Sequence, residues 1–107
     1  MRIVVGNEPR VYREAIAAAL VRARPEDEVV VIEPHELDAA VTRLHPGLVV
    51  CSRLSAAVER SGAWVELYPA RSAGANVGIG RERTQLSEID LPTLERLIDR
   101  AAQAQPR

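Results

Sequence analysis

Three short aliphatic runs, Ile3-Val4-Val5, Val29–Ile32 and Leu48–Cys51, fall in the first half of the chain, and a helix-length stretch separates each from the next. β-Branched runs of this length, bounded by turn residues, read as buried strands. The unbroken Val29-Val30-Val31-Ile32 within Glu28–Glu33 is the pattern of a strand covered on both faces, which favours a parallel sheet. After Gly6-Asn7-Glu8-Pro9, a helix is predicted to about Arg24, with Pro9 in its first turn and Asn7 or Glu8 near its positive end. Its expected apolar stripe is Val11, Ala15, Ile16, Ala19 and Leu20, and Pro25 stops it. A second helix opens at Pro34-His35-Glu36, buries Leu37, Ala40, Val41 and Leu44, and ends at His45-Pro46-Gly47. Strand, helix, strand, helix, strand with short connections implies right-handed crossovers and a doubly wound α/β sheet.

The second half breaks this rhythm. Ser55–Ser61 has room for about two helical turns before Gly62, and Trp64–Tyr68 reads as a fourth strand. Pro69–Ala75 has no apolar stripe and precedes a strand at Asn76–Gly80. A parallel return needs a crossover of about a dozen residues, so this connection predicts an antiparallel hairpin over 64–80. Thr84–Ile89 is expected to extend the irregular or strand-like region. Asp90 then caps a last helix, with Pro92 in its first turn and Leu94, Leu97, Ile98 and Ala101 facing inward. The expected organisation is one domain over 1–102 and a frayed tail over 103–107.

Composition narrows the functional classes. The 14 cationic residues are all Arg, they are interspersed with 15 acidic ones, and the net charge is −1, so no basic face for nucleic acid is expected. The single Trp, two Tyr and absence of Phe argue against stacking platforms for bases. One Cys and two His ten positions apart, His35 and His45, make no metal-ligand pattern, and neither a metal nor a cofactor is expected. No stretch reaches the roughly 18–20 apolar residues that cross a bilayer, and the start of the chain does not resemble a leader. A soluble, unprocessed cytoplasmic protein is therefore expected, with no membrane partner.

In sheets of this class, ligands gather beyond the carboxyl ends of the strands where strand order reverses, here between the first and third strands. The loops at that point supply Asn7, Glu8, Ser52, Arg53 and Ser55, which are the candidate site residues. They suit a small anion held by loop N–H groups and Arg53, or a weak metal held by Glu8 and Asn7. The alternative is structural: Asn7 and Glu8 cap the first helix while Ser52 and Ser55 cap the third. Cys51 reads as a small buried hydrophobe rather than a nucleophile, because only Arg53 is close enough in sequence to lower its pKa. Gly78-Ile79-Gly80 lacks the third glycine and the strand-to-helix context of a dinucleotide loop, and marks a bulge or bend in a late strand. Arg71, Arg81 and Arg83 are placed around the predicted hairpin.

The order of elements over 1–52, and more loosely over 64–102, resembles the receiver domain of two-component response regulators. The resemblance implies a flavodoxin-like sheet of order 2-1-3-4-5, mainly parallel, with a shortened second half and a last strand that can run antiparallel. It also implies a degenerate site. With Pro9 set against the proline that follows the family's acidic pair, the pair falls on Gly6 and Asn7, leaving Glu8 as the nearby carboxylate. The phospho-accepting Asp falls on Ser52 in Pro46-Gly47-Leu48-Val49-Val50-Cys51-Ser52, the switch hydroxyl falls near Tyr68, and the strand-five Lys has no counterpart. The resemblance therefore implies a non-catalytic pseudo-receiver that works through a protein partner or a second copy of itself. A small-ligand or anion-binding domain using the loops after the first and third strands is the other expectation.

Overall fold

The computed structural model describes residues 1–105. In chain order these form β1 (Arg2–Gly6), α1 (Arg10–Ala23), β2 (Glu28–Val31), a 3-10 turn at Pro34–Glu36, α2 (Leu37–Leu44), β3 (Leu48–Cys51) and α3 (Ala56–Glu59). β4 (Ala63–Leu67), a second 3-10 turn at Pro69–Arg71, β5 (Ala75–Ile79), β6 (Glu82–Leu86) and α4 (Leu91–Gln103) complete them. All six strands join one mixed α/β sheet of order β2-β1-β3-β4-β5-β6. The pairings from β2 to β4 are parallel, and β4–β5 and β5–β6 are antiparallel. No described helix is long and apolar enough to cross a membrane.

The five-strand order expected from sequence needs correction, because Glu82–Leu86 is a sixth strand and forms the edge of the sheet. Its polar sequence carries no burial pattern, and its pairing is set by the turn before it. Ile79 and Glu82 are cross-strand partners around Gly80-Arg81, and Gly80 sits at φ 60. A positive φ at the first central residue of a two-residue hairpin is the glycine-requiring geometry that matches strand twist.

Two further expectations change. β2 was expected to be covered on both faces, but Val29 and Val30 are only half-buried and Val31 is 45% exposed. A continuous aliphatic run reports hydrophobicity and leaves open how completely helices cover the faces of a strand that ends the sheet, as β2 does beside β1. The inward face of α1 is also rotated from the predicted stripe. It buries Arg13, Ala17 and Leu20, while Val11 is 65% exposed. Arg13 takes a core-facing position by packing its aliphatic stem inward while its Nη1 donates to the Asn7 carbonyl at 3.1 Å. A hydropathy stripe assigns such a residue to solvent.

The sheet has helices on both faces. Ile3, Val5, Leu48, Val50 and Val65 pack with Leu20 of α1 and Leu94, Leu97 and Ile98 of α4. On the opposite face, Val4, Val49, Cys51 and Trp64 pack with Leu37 and Val41 of α2 and Val58 of α3. The tail expected to fray begins inside α4, since Gln103 is helical and Gln105 Nε2 donates to the carbonyls of Gly47 and Ala101, each at 3.3 Å. Residues 106 and 107 lie outside the described residues.

Candidate functional site

The β1 and β3 strands are neighbours, with Gly6 opposite Cys51, so the loops that follow them emerge side by side. One side chain ties them together. Ser52 Oγ accepts the Glu8 N–H at 2.8 Å and donates to the Glu8 carbonyl at 3.2 Å, satisfying both backbone groups of one residue 44 positions away. Ser52 is therefore a strut between loops and not a cap for α3. Ser55 takes that role, accepting the Val58 N–H at 3.2 Å and donating to Asp38 Oδ1 at 2.7 Å. Neither Asn7 nor Glu8 caps α1, because the cap position is Pro9 and carries no side-chain bond. Asn7 is 1% exposed, and its Oδ1 has no hydrogen-bond partner among the described residues.

Glu8, Ser52 and Arg53 line one cleft of about 970 Å³ together with Tyr12, Tyr68, Arg71 and Ser72. Three of the five predicted residues thus meet on one surface. Asn7 lies buried behind it, and Ser55 is committed to α3 and Asp38. The opposite wall, Tyr68 to Ser72, was not among the sequence candidates.

That wall has an unusual backbone. Tyr68 (φ 56), Ala70 (φ 52) and Arg71 (φ 64) all adopt left-handed conformations, and none is glycine. Each such residue costs about 1 kcal/mol or more, so the turn is strained where it faces the cleft. Ala70→Gly is expected to stabilise the protein by about 1 kcal/mol, measured as a raised denaturation midpoint. A lowered midpoint would contradict the assigned backbone geometry.

Behind the cleft, Glu66 on β4 organises the β3–α3 loop. Its Oε2 accepts the Leu54 N–H and its Oε1 accepts Asn76 Nδ2, both at 2.9 Å. Glu66 also bears on Cys51, its cross-strand partner. Burial first, and the Glu66 carboxylate second, push the Cys51 thiol up to about 12, against a weaker backbone hydrogen bond from Arg53. Cys51 is 0% exposed, so it is a protonated core side chain. His45 precedes β3 and lies at the opposite end of the strand from Cys51, while His35 sits beside Glu33 and Glu36.

No family model, curated protein or solved structure matches this chain. Among the described residues, no three His, Cys, Asp or Glu side chains come together in a way that could hold a metal ion. The three arginines placed around the hairpin do not form one patch. Arg71 lies before β5 and lines the cleft, whereas Arg81 sits in the turn after β5 and Arg83 stacks over Trp64 at 5.4 Å from the ring centroid.

Proposed function

We infer that this chain is a non-catalytic, receiver-like regulatory module of the cytoplasm, built on a doubly wound, flavodoxin-like arrangement of β1 to β4 and acting through protein–protein contacts. The observation that carries this reading is the engagement of Ser52. At the position where a receiver presents its acceptor carboxylate, this chain has a hydroxyl bonded to both backbone groups of Glu8. A serine cannot form an acyl phosphate, and here its lone pair and proton already hold two loops together. No lysine is present in the chain to stabilise a phosphorylated state.

The contact surface favoured by this reading is the β6 edge. Glu82–Gln85 are exposed, and an edge strand offers unpaired backbone groups to a strand from a partner or a second copy. Incubation with acetyl phosphate and magnesium is expected to leave the intact mass unchanged, and any self-association in sedimentation is expected to weaken in Gln85→Pro, whose N–H alternates to the open side of β6. A stoichiometric phosphate adduct would overturn the non-phosphorylated reading. An interface confined to α1 and α2 would overturn the assignment to the sheet edge.

A further inference from the structure

The cleft between the β1 and β3 loops and the Tyr68–Ser72 wall has a second compartment that the interaction reading does not use. Leu67 and Tyr68 belong both to the polar cleft and to an adjoining groove of about 220 Å³, lined by Ala15, Ile16, Leu91 and Leu94. Tyr12 and Tyr68 meet edge to face over this junction, with ring centroids 6.3 Å apart and planes at 72°. They remain 52% and 39% exposed, and Leu91 beside them is 37% exposed. Aromatic and aliphatic surface gathered at a concave junction marks a binding site more often than a scatter of single residues does.

The polar side carries positive charge without internal partners. Arg2, Arg10, Arg24 and Arg100 each pair with a carboxylate, whereas no acidic group lies within salt-bridge distance of Arg53 or Arg71 among the described residues. Both of these line the cleft, on opposite loops. The first turn of α1 opens onto the same space through Pro9 and Tyr12, and it contains no acidic residue and no side-chain cap. Its N-terminal dipole adds to the two guanidinium charges. Glu8 opposes them from the rim with one carboxylate. Of the charged side chains lining the polar cleft, two are cationic and one is anionic, and Asp90 in the adjoining groove accepts the Thr93 N–H of α4.

We propose that this two-part cleft binds a small organic carboxylate with an aromatic or branched apolar tail, the carboxylate between Arg53 and Arg71 and the tail against Tyr12, Tyr68 and the α1–α4 groove. Planar guanidinium groups match a carboxylate in two-point geometry, and the Ser72 hydroxyl, which accepts the Gly74 N–H and keeps its own proton to donate, supplies further polar contact at the same end. The left-handed turn at Tyr68–Arg71 holds one residue of each kind toward the junction, which gives the backbone strain there a use.

The test is a titration of the full chain with 3-phenylpropionate, followed by amide chemical shifts. Saturable shifts are expected in residues 12–16, 52–54 and 68–73, with a Kd of about 1 mM or tighter for a ligand of this size. Arg53→Gln and Arg71→Gln are each expected to weaken binding about 10-fold. Tyr12→Ala, an exposed helix substitution, is expected to weaken it several-fold without loss of fold. 3-Phenylpropanol and inorganic phosphate, which keep only the tail or only the charge, are expected not to saturate in the same range. No saturation by 3-phenylpropionate, equal binding of the alcohol or of phosphate, or unchanged affinity in both arginine variants would overturn the proposal. These outcomes are independent of phosphorylation and of association at β6, so the two readings stand or fall separately.

Discussion

Gly78→Ala is expected to cost about 2–3 kcal/mol, far more than adding one methyl group to a strand ordinarily does. Trp64 and Gly78 are direct cross-strand partners on β4 and β5, and Gly78 is in turn opposite Arg83 on β6. The indole crosses the glycine to reach the Arg83 guanidinium, so one ring links three strands. A Cβ at position 78 would lie 2.4 Å from Trp64 Cε2 and 2.5 Å from Cζ2, deep inside van der Waals contact. Trp64 is 4% exposed and packed with Val49, Cys51 and Val58, so the ring has little freedom to retreat.

This mechanism makes a prediction about coupling. In a Trp64→Leu background the shorter side chain no longer covers position 78, and Gly78→Ala is then expected to cost less than about 1 kcal/mol. Denaturation followed by circular dichroism measures all four corners of the cycle without relying on the chain's only tryptophan. Additive costs in the two backgrounds would show that the indole contact is not what requires glycine. The two glycines of the Gly-x-Gly have separate structural uses: Gly78 makes room for a ring, and Gly80 makes a turn.

What could be read from the sequence depended on whether a feature was local. Leu48–Cys51 was predicted residue for residue, because a bounded aliphatic run between turn signals has few other uses. The Asp90 cap and the Leu94, Leu97, Ile98 and Ala101 stripe of α4 were equally legible, since the cap bond to the Thr93 N–H spans three residues. The antiparallel β4–β5 pairing followed from the shortness of Pro69–Ala75. Features set by distant partners were not legible. Arg13 appears polar in any window, and only the Asn7 carbonyl makes its inward position acceptable. Glu82–Leu86 became a delimited strand only through its turn and its neighbour β5.

The candidate cleft divides in the same way. Parallel strands bring their carboxyl ends together by topology, so Glu8, Ser52 and Arg53 could be grouped before any coordinates. The Ser52–Glu8 strut could not, because a serine after a strand and before a short helix looks like a cap in sequence. Tyr68 and Arg71 were missed as cleft residues because left-handed backbone at non-glycine residues leaves no local signal. The only pointer was the receiver resemblance, which set the switch hydroxyl near Tyr68.

The Cys51 thiol is expected to react with iodoacetamide at pH 8 about 1,000-fold more slowly in the folded protein than in the denatured chain. The thiolate is the reactive form, and raising the pKa from 9.0 to about 12 removes about that fraction of it. Zero exposure slows the reagent further. The same shift fixes the sign of an alkaline effect on stability. Below about pH 9 the thiol is protonated in both states and contributes no pH dependence. Above that, the unfolded chain releases its proton while the folded chain keeps it, so stability falls by about 1 kcal/mol per pH unit toward pH 12. Cys51→Val removes the titrating group while keeping the volume, and is expected to abolish this component while leaving neutral-pH stability within about 1.5 kcal/mol. Cys51→Ser is expected to cost about 1–3 kcal/mol at neutral pH, because its hydroxyl enters an apolar cluster of Val4, Val49 and Trp64. Labelling of the native protein at the denatured rate, with an alkaline slope identical in Cys51→Val, would return Cys51 to the solvent and reopen nucleophilic chemistry at the end of β3.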